Sequence, residues 1–453
     1  MFSKVMVANR GAVAARVLRA LKALGVRSVA VYSEADQDLP YLQEADESYC
    51  LGAANPRDSY LNQDALIRVL IESGADGVHP GYGFLAENAD FARRVIESGA
   101  TFIGPSPQWI DAMGHKTRAR TLMASNGLSM GASSELLSGD IEEASREAER
   151  IGYPVLVKPA AGGGGIGMMA AHNSDQLAKA LENAISLSKR SFGSSEIYLE
   201  KLVIQPRHIE FQLLADRAGN VRHLFERDCS IQRRHQKVIE ESPAPQIPRL
   251  VLNKAGDDIA AVMQKLKYDN IGTAETLYAS GTDFAFLEMN TRLQVEHAVT
   301  EEITGIDIVC AQIRIAAGES LSNVLPEKIS IIGHAIEARI YAEDPIKFFP
   351  SPGLLKTLKF PTGDGIRVET GYTEGSLITP YYDPLIAKLI VHAPDRNQAI
   401  NKLIAALDQI EVQGVKHNIP FVRMVLDSEE FRAGNIHTSL GTELIARHAA
   451  KKQ

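Results

Sequence analysis

The segment from residue 284 to residue 296 limits the possible folds of this chain more than any other feature of its sequence. Polar side chains recur at every second position from Glu288 to Glu296, and Phe284 to Leu287 is an apolar run. Residues two apart share one face of a β-strand, so the pattern predicts a strand with one polar face. Its polar members are Glu288, Asn290, Arg292, Gln294 and Glu296. At about 3.3 Å per residue these positions would span about 26 Å, so we expect a bend near Thr291 if both ends serve one site.

The first two polar residues of this face suit a metal site. Glu288 and Asn290 offer hard oxygen ligands two residues apart, the ligand type that Mg²⁺ takes when it holds nucleotide phosphates. Glu275 ends a neighbouring strand-like run and supplies a second carboxylate. The alternative is the solvated outer face of an antiparallel strand. The apolar run before Glu288 favours the metal site.

Residues 162–167 form a glycine-rich turn with the pattern G-x-G-x-x-G. A dinucleotide fingerprint needs a helix after this pattern, whereas Met168 to Ala171 predicts a strand, and the Gly-Lys-Ser/Thr of a Walker A loop does not follow. We therefore predict a flap whose backbone N–H groups contact phosphates, with Lys158 on the incoming strand reaching a phosphate. The alternative is a flexible hairpin with a surface lysine. Further along, Asn173 to Gln176 has the form of a capping box that opens a helix.

Residues 227–237 carry five basic or imidazole groups. Nucleic acid is the usual partner of such a run, but the chain has 48 Lys and Arg against 56 Asp and Glu, a net charge of −8, and the run lacks interleaved aromatic residues. We expect its donors to face small anions such as phosphate or bicarbonate, the alternative being a solvated edge strand. His208 and His235 show no metal-ligand spacing, so we expect them to be structural or to lie beside a nucleotide.

The sequence as a whole predicts a set of globular domains. Its first 110 residues alternate short apolar runs with helical patterns, which predicts a parallel, doubly wound sheet. The length of 453 residues suggests about three domains. Three cysteines without a C-x-x-C spacing argue against a disulfide scaffold and for a reducing cytoplasm. No apolar run approaches the ~18 residues of a membrane helix, and polar residues interrupt the N-terminal apolar stretch that a signal peptide needs.

Three strings resemble the biotin carboxylase family of the ATP-grasp superfamily, namely residues 162–167, Glu226–Lys237 and Glu288–His297. The similarity continues along almost the full length in Ala8–Gly11, His79–Phe84, His334–Glu337, Pro350–Gly353 and Pro380–Asp383. The resemblance implies a chain of α/β and α+β class, in which an ATP-grasp fold follows a Rossmann-like parallel-sheet domain and precedes a biotin carboxylase C-terminal domain. The implied boundaries are 1–113, 114–330 and 331–446, with a mobile lid at about 131–203.

The resemblance also implies a reaction and its partners. Such an enzyme uses ATP, Mg²⁺ (or Mn²⁺) and bicarbonate to make carboxyphosphate, and it carboxylates N1′ of biotin on a biotin carboxyl carrier protein. A separate carboxyltransferase subunit then passes the carboxyl group to an acceptor that this subunit selects. The sequence contains no Ala-Met-Lys-Met biotinylation string, so we expect the biotin on a separate carrier. A homodimer is implied, with Arg19 and Arg367 at interface positions.

Two alternatives remain beside this reaction: another ATP-grasp carboxylate ligase, and a non-catalytic nucleotide-binding paralogue. The former would share the glycine turn and the metal ligands but not the string from Arg292 to Glu296.

The resemblance assigns roles to single residues. Nucleotide contacts are implied for Lys116, Lys158, Gly163, Gly164, Gly165, Glu200, His208, Gln232, His235 and His437. The implied metal ligands are Glu275, Glu288 and Asn290. The implied bicarbonate site consists of Lys237, Arg292, Gln294, Val295 and Glu296. The implied biotin site consists of Tyr82, Gly83 and Arg339. Among these, the catalytic residues are Glu296 as the base, Arg339 for the biotin enolate, and Arg292 and Lys237 as holders of the anion.

The glycine turn departs from the family pattern at two positions. Family members usually continue Gly-Arg-Gly-Met-Arg, whereas this chain has Ile166 and Met169 where the two arginines stand. The lid thus lacks two positive charges, and we expect it to attract ATP less strongly.

Overall fold

The computed structural model of the chain describes residues 1–160 and 167–450. The predicted phosphate contacts of Gly163, Gly164 and Gly165 therefore lie outside the described residues, and so does Ile166. Within the described ranges, no helix combines the length and the apolarity that a membrane span needs. Three sheets build most of the structure, with five, three and eight strands.

The N-terminal region forms the five-stranded sheet. Its elements are β1 (Lys4–Val7), α1 (Gly11–Ala23), β2 (Arg27–Ser33), β3 (Glu47–Gly52), α2 (Gln63–Ser73), β4 (Gly77–His79), α3 (Ala89–Glu97), β5 (Thr101–Phe102) and α4 (Pro107–Gly114), with 3₁₀ turns at Glu34–Asp36, Pro40–Glu44 and Pro56–Asp58. The strands run parallel in the order β3-β2-β1-β4-β5. Val5 and Val7 pack into the core that includes α1, whereas Met6 packs into the core of α2 and α3. Burial on both faces of β1 explains why residues 5–8 form a continuous apolar run. The predicted parallel sheet is confirmed.

The second region forms the three-stranded sheet, here called the lid sheet. Its elements are α5 (Lys116–Ser125), α6 (Ile141–Ile151), β6 (Val155–Pro159), β7 (Met169–Ala171), α7 (Ser174–Phe192) and β8 (Ile197–Lys201), with strand order β7-β6-β8. The return strand predicted after the glycine turn is β7. Asn173 Oδ1 accepts a hydrogen bond from Gln176 N at 3.2 Å, and Gln176 Oε1 accepts one from His172 N at 3.0 Å, so the predicted cap of α7 is confirmed. Helices α6 and α7 cover this sheet with a small apolar core of its own.

The eight-stranded sheet, here called the main sheet, is antiparallel throughout, in the order β13-β12-β9-β10-β11-β14-β19-β17. Its first part comprises β9 (Arg207–Ala215), β10 (Val221–Arg233), β11 (Gln236–Ser242), α8 (Arg249–Leu266), β12 (Asn270–Tyr278), β13 (Phe284–Asn290), α9 (His297–Thr304), α10 (Ile308–Ala316) and α11 (Leu321–Val324). The elements that follow are β14 (His334–Tyr341), β15 (Gly353–Leu354), β16 (Thr357–Lys359), β17 (Ile366–Thr370), β18 (Leu377–Ile378), β19 (Leu385–Ala393), α12 (Arg396–Leu407), β20 (Glu411–Gln413), α13 (Ile419–Asp427), α14 (Glu429–Ala433) and α15 (Leu440–Ala450). Two small sheets, β15-β18 and β16-β20, accompany them.

The main sheet runs across the boundary expected at residue 330. Strand β11 pairs with β14, in the register Glu240 opposite Glu337. Backbone hydrogen bonds therefore join the central and C-terminal parts of the chain in one layer. Side chains from both parts meet on the face of this sheet that is covered by α9.

The prediction of one strand from residue 284 to residue 296 is wrong, whereas the expected bend is confirmed. Strand β13 ends at Asn290, and Glu296 is already the residue that precedes α9. Glu87 of the N-terminal region accepts hydrogen bonds from Thr291 N at 3.0 Å and from Arg292 Nε at 2.8 Å. A side chain distant in sequence thus takes the backbone donor that a longer strand would have used for pairing.

Candidate active site

A cavity of about 810 Å³ lies where the N-terminal region, the lid sheet and the main sheet meet. This volume is in the range of pockets that hold cofactor-sized ligands. Of the residues predicted for the site, those that line it are Lys116, Lys158, Glu200, His208, Gln232, His235, Lys237, Glu275, Glu288, Asn290, Arg292, Gln294, Val295, Arg339, Tyr82 and Gly83. Residues that lie up to about 260 positions apart in the sequence therefore surround one space.

The lid sheet contributes a buried ion pair to the cavity. Lys158 on β6 donates a hydrogen bond to Glu200 on β8, which also lies 2.7 Å from Arg120 Nη1. Burial would raise the pKa of Glu200, but Lys158 and Arg120 outweigh it and lower this pKa. Burial would likewise lower the pKa of Lys158, and the Glu200 carboxylate raises it instead. Lys158 is thus a fixed cation at the wall of the cavity.

The three predicted metal ligands come together on β12 and β13. Glu275 lies directly opposite Glu288 in the register of these strands, and Asn290 Nδ2 donates to Glu275 Oε1 at 2.9 Å. An ammonium and an imidazole lie beside these carboxylates: Lys116 Nζ is 3.0 Å from Glu288, and His208 Nε2 is 3.1 Å from Glu275. Two carboxylates and an amide oxygen on adjacent strands are a hard-oxygen donor set, which fits Mg²⁺ or Mn²⁺.

Lys237 on β11 connects the predicted metal ligand Glu275 to Glu296 of the predicted bicarbonate site. Its ammonium donates hydrogen bonds to Glu210, to Glu275 Oε1 at 2.7 Å and to Glu296 Oε1 at 2.7 Å. Burial would lower the pKa of Lys237, but the three carboxylates raise it well above its usual value. The cation therefore stays charged at neutral pH, and its side chain still reaches the cavity.

Glu296 lies beneath the cavity wall, and its carboxylate is fully buried. Oε1 accepts from Lys237, and Oε2 accepts from Arg339 Nη2 at 3.0 Å. Burial would raise the pKa of Glu296, but these two cations hold it well below the usual range. Arg339 Nε in turn donates to Glu240 Oε1 at 2.6 Å. The site thus keeps Glu296 ionised between two cations that themselves line the cavity.

Arg292 is held by three side-chain acceptors beside these groups. Its Nη1 donates to Gln294 Oε1 at 2.9 Å, its Nη2 donates to Asn290 Oδ1 at 3.0 Å, and its Nε donates to Glu87. Sequence reasoning missed Glu87, although it lies three residues after the string His79–Phe84. Only the fold shows that Glu87 orients a guanidinium about 200 residues away.

The biotin end of the predicted site is built from two of the short family strings. Asn9 Nδ2 donates to Pro80 O at 2.7 Å and to Tyr82 O at 2.8 Å. Gly81 has φ +65°, and a Cβ there would lie 2.9 Å from Asn9 Nδ2, so this turn requires glycine. The strings Ala8–Gly11 and His79–Phe84 therefore form one structure that presents Tyr82 and Gly83 to the cavity.

Only part of the basic run faces the cavity. Gln232, His235 and Lys237 line it. Arg227 is fully buried and binds Glu210, and its Nη1 donates to Gln212 at 2.9 Å. The expectation that the whole run faces small anions is therefore wrong, because its first arginine neutralises the sheet interior. The edge-strand alternative is also wrong, because β10 lies between β9 and β11.

The cavity lining also differs from the predicted site in two ways: it does not include His437, and it includes apolar residues that were not predicted. His437 Nδ1 lies 2.9 Å from Ser439 Oγ, and the neighbouring Thr438 lines the cavity. Apolar wall residues that sequence reasoning missed are Leu156, Met168, Leu202, Val203, Leu277 and Leu287. Leu287 is the extra residue of a bulge between β12 and β13, since Glu275 pairs with Glu288 and Thr276 with Phe286. A strict period of two cannot place both Leu287 and Glu288 at one cavity.

Family models match three successive parts of the chain. The biotin carboxylase N-terminal domain matches residues 1–110, the ATP-binding domain of the carbamoyl-phosphate synthase L chain matches residues 115–324, and the biotin carboxylase C-terminal domain matches residues 337–442.

Similar proteins cover almost the whole chain. A biotin carboxylase of Halalkalibacterium halodurans is 48% identical over 442 residues, which is 98% of each chain. A biotin carboxylase of Haemophilus influenzae is 46% identical over 96% of this chain and 98% of its own. The crystal structure of the biotin carboxylase domain dimer of Hydrogenobacter thermophilus 2-oxoglutarate carboxylase, with MgADP, ADP and bicarbonate, superposes with a TM-score of 0.94 at 45% identity over 98% of this chain and 99% of that one. With this identity over its full length, the chain belongs to the biotin carboxylase family.

Proposed function

We propose that this chain carboxylates carrier-bound biotin at N1′, using ATP and bicarbonate through carboxyphosphate. This is the first half-reaction of a multisubunit biotin-dependent carboxylase. The observation that carries the proposal is the continuous network from Glu275 through Lys237 and Glu296 to Arg339, at a cavity whose far wall holds Tyr82. The network places an ionised carboxylate between two cations, midway between the metal-ligand carboxylates and the biotin end.

The nucleotide side of the cavity comprises the lid pair and the metal ligands. We assign ATP contacts to Lys116, Lys158, Gly163, Gly164, Gly165, Glu200, His208, Gln232, His235 and His437. Glu275, Glu288 and Asn290 would hold Mg²⁺ or Mn²⁺, which neutralises phosphate charge when bound. Lys116 and Lys237, which pair with the carboxylates of Glu288 and Glu275, are then available to anionic substrate oxygens.

The bicarbonate side follows from charge and from proton transfer. We assign anion binding to Arg292, Lys237, Gln294 and Val295, because all four line the cavity and Lys237 also binds Glu296. Bicarbonate is a poor nucleophile until it loses its proton, and Glu296 is the ionised carboxylate at this wall. Lys237 and Arg339 hold Glu296 through both of its oxygens, so an entering anion competes for these two cations and frees a carboxylate oxygen to accept the proton.

Arg339 serves the second step. Carboxyphosphate breaks down to CO₂ and phosphate, the phosphate takes the proton of biotin N1′, and N1′ then attacks the CO₂. Loss of this proton places negative charge on the ureido oxygen, and a guanidinium at the cavity wall stabilises that oxyanion. Glu240 and Glu296 fix the orientation of this guanidinium from two sides. Tyr82 and Gly83, held by Asn9, bound the same end of the cavity. We therefore assign biotin to this end.

Another ATP-grasp ligase and a non-catalytic nucleotide-binding paralogue are weaker proposals. A ligase for a different carboxylate has no need of the Arg292, Gln294 and Glu296 arrangement beside the phosphates. A paralogue without activity is disfavoured because every described reactive side chain of the predicted site is present and paired.

Partners and organisation belong to the same proposal. A biotin carboxyl carrier protein supplies the biotin, and a separate carboxyltransferase subunit uses the product. We propose a homodimer, since the similar H. thermophilus biotin carboxylase domain is a dimer in its crystal structure. The domain boundaries 1–113, 114–330 and 331–446, and a cytoplasmic location, remain predictions from the sequence.

The test is phosphate release from MgATP with and without bicarbonate, together with transfer of labelled bicarbonate to biotin on a carrier domain. The expected result is phosphate release that depends on bicarbonate and label that appears on biotin. Phosphate release that ignores bicarbonate but depends on another carboxylate would identify a different ligase. Nucleotide binding without any ATP cleavage would identify a non-catalytic protein.

A further inference from the structure

Lys388 on β19 is a buried cation behind the bicarbonate wall, and the proposed reaction steps do not use it. Its side chain is only 1% exposed. Its ammonium lies 2.6 Å from Glu369 Oε2 and donates a hydrogen bond to the backbone oxygen of Val295 at 2.6 Å. The Glu337 carboxylate lies further away, at 3.9 Å. One buried charge therefore bridges a carboxylate of the main sheet and the backbone of the predicted bicarbonate segment.

Sheet register explains how Lys388 reaches this position. It lies directly opposite Arg339 on β14 and directly opposite Glu369 on β17. Side chains of directly opposed residues share one face of the sheet, so the three lie in a row beneath α9 and the loop that leads into it. Arg339 in this row contacts the carboxylate of Glu296, whereas Lys388 contacts the peptide that joins Val295 to Glu296.

The hydrogen bond to Val295 acts at a position where orientation matters. The Val295 carbonyl belongs to the peptide that precedes the proposed base, and Val295 itself lines the cavity. Rotation of this peptide would move both the Val295 wall and the carboxylate of Glu296. Misplacement of a reacting group by about 1 Å can cost about 100-fold in rate.

Burial of an ammonium is costly unless it is paired, so the position of Lys388 needs an explanation. Glu369 supplies the counter-charge, and it is also bound by Arg367, whose Nη2 lies 2.7 Å from Glu301 as well. Glu369 thus has a second cationic partner beside Lys388. The contact that Lys388 alone makes in this group is the hydrogen bond to Val295 O.

We propose that Lys388 is a positioning residue for the carboxylation reaction: its ammonium, held by Glu369, fixes the Val295–Glu296 peptide and thereby the bicarbonate site. The inference rests on the function proposed above and adds to it a residue that touches neither substrate nor nucleotide. It predicts an effect on bicarbonate and not on ATP, because the ammonium of Lys388 binds Val295 O and pairs with Glu369, and neither residue is assigned to ATP. A role in stability alone predicts no such selectivity.

The experiment compares three variants in the full chain. Lys388→Met removes the donor and the charge, and Glu369→Gln keeps the donor and changes only its counter-ion. The double variant Lys388→Met/Glu369→Gln removes the donor while it avoids an unpaired buried carboxylate beside the new methionine. For each we would measure the KM for bicarbonate, the KM for ATP and kcat in bicarbonate-dependent phosphate release, and the unfolding midpoint.

We expect both methionine variants to lower kcat/KM for bicarbonate by about 10- to 100-fold, through a higher KM or a lower kcat. This factor is the usual contribution of a charged hydrogen bond. Their KM for ATP should stay within about threefold of the parent. Glu369→Gln keeps the donor, so it should lower kcat/KM for bicarbonate less than either methionine variant does, and it should leave the KM for ATP within about threefold while it loses stability.

Three results would overturn the inference. A folded methionine variant with the parent's kcat/KM for bicarbonate shows that the peptide needs no such donor. An equal loss of bicarbonate and ATP kinetics shows a general structural role. Failure of both methionine variants to fold, with Glu369→Gln folded, assigns Lys388 to stability alone. A parent enzyme without bicarbonate-dependent phosphate release would contradict the proposed function itself, which separates the two questions.

Discussion

The lid sheet and the main sheet face the same cavity but are built in different ways. The lid sheet has three strands and a small apolar core of alanine, valine, leucine and isoleucine side chains, to which Lys158 and Glu200 add one buried ion pair. The main sheet buries a dense set of carboxylates and cations on the face that α9 covers. These are Glu210, Arg227, Lys237, Glu240, Glu337, Arg339 and Lys388, and Glu296 at the start of α9 joins them.

This difference separates two kinds of chemistry. Buried charges are tolerated only when each has a partner, so the side chains of the main sheet hold one another in place. The lid sheet carries a single such pair, Lys158 and Glu200, with Arg120 as a second partner of Glu200. We therefore expect substitutions in the buried charge network around Glu296 to affect bicarbonate chemistry and stability, and substitutions of the Lys158–Glu200 pair to affect ATP.

The largest expected effect comes from Glu296→Gln. This change keeps the shape but removes the proposed base, so bicarbonate-dependent ATP hydrolysis should fall about 10²–10⁴-fold while the affinity for MgATP changes little. Phosphate release and calorimetry measure the two quantities. The control is Glu301→Gln, which also removes a buried carboxylate that accepts from two arginines, Arg16 and Arg367, but lies away from the cavity. Normal hydrolysis by Glu296→Gln would contradict its role as the base, and loss of MgATP binding would place it among the metal ligands.

The next effect tests the cohesion of the main sheet through Glu241. Arg396 Nε and His334 Nε2 each lie 2.7 Å from its carboxylate. Burial would raise the pKa of Glu241, but Arg396 outweighs it and lowers this pKa from 4.5 to about 2. The contribution to stability is therefore complete above about pH 4.5 and is lost as the pH falls towards 2.

Glu241→Gln should reduce the free energy of unfolding by about 3 kcal/mol at pH 7. The difference from the parent should begin to shrink below about pH 4.5. Urea unfolding of both proteins at several pH values between 7 and 4 measures it. A difference that is constant over this interval would show that Glu241 is not the titrating group, and no difference at pH 7 would show that the sheet does not depend on this pair.

Lys158→Met tests whether the lid sheet serves ATP and not bicarbonate. Loss of one charged phosphate contact should raise the KM for ATP by about 10- to 100-fold and leave the KM for bicarbonate unchanged. Glu200 keeps Arg120 as a partner, so the lid sheet should remain folded. The matched control is Lys179→Met on the exposed face of α7, which should leave both KM values at those of the parent. A rise in the KM for bicarbonate instead would remove the distinction between the two sheets.

The smallest expected effect comes from Met169→Arg. The preceding residue, Met168, lines the cavity, whereas Met169 is partly buried against the core of the lid sheet. An arginine at 169 would point towards that core and not towards the cavity. Contrary to the expectation from the family pattern, the KM for ATP should therefore change by less than about threefold while stability falls. The measurement is the KM for ATP with the unfolding midpoint. A tenfold lower KM would show that this position serves the nucleotide after all.

Local patterns of the sequence predicted many elements of the structure. The apolar run from Val5 to Ala8, which predicts the strand observed at Lys4–Val7, the return strand β7 and the cap at Asn173 all depend on neighbours in sequence, and the structure has each of them. Most described residues of the predicted site also line one cavity, with Glu296 buried beneath its wall and His437 outside its lining. The strand proposed through Glu296 failed, since its end depends on Glu87, a residue that no local pattern connects to Thr291.

The sequence by itself determined which side chains are available for the chemistry and which segments are strands or helices, because periodicity and capping act over a few residues. Only the tertiary structure decided which charged side chains are buried in ion pairs and which reach the cavity. Arg227 and Lys237 belong to one basic run, yet the first neutralises the sheet interior and the second reaches the cavity. Lys388 and Glu87 carry no local signal, and they matter through partners about 90 and 200 residues away. A buried charge is stable only beside its partner, and the sheet register that brings the two together is a property of the whole fold.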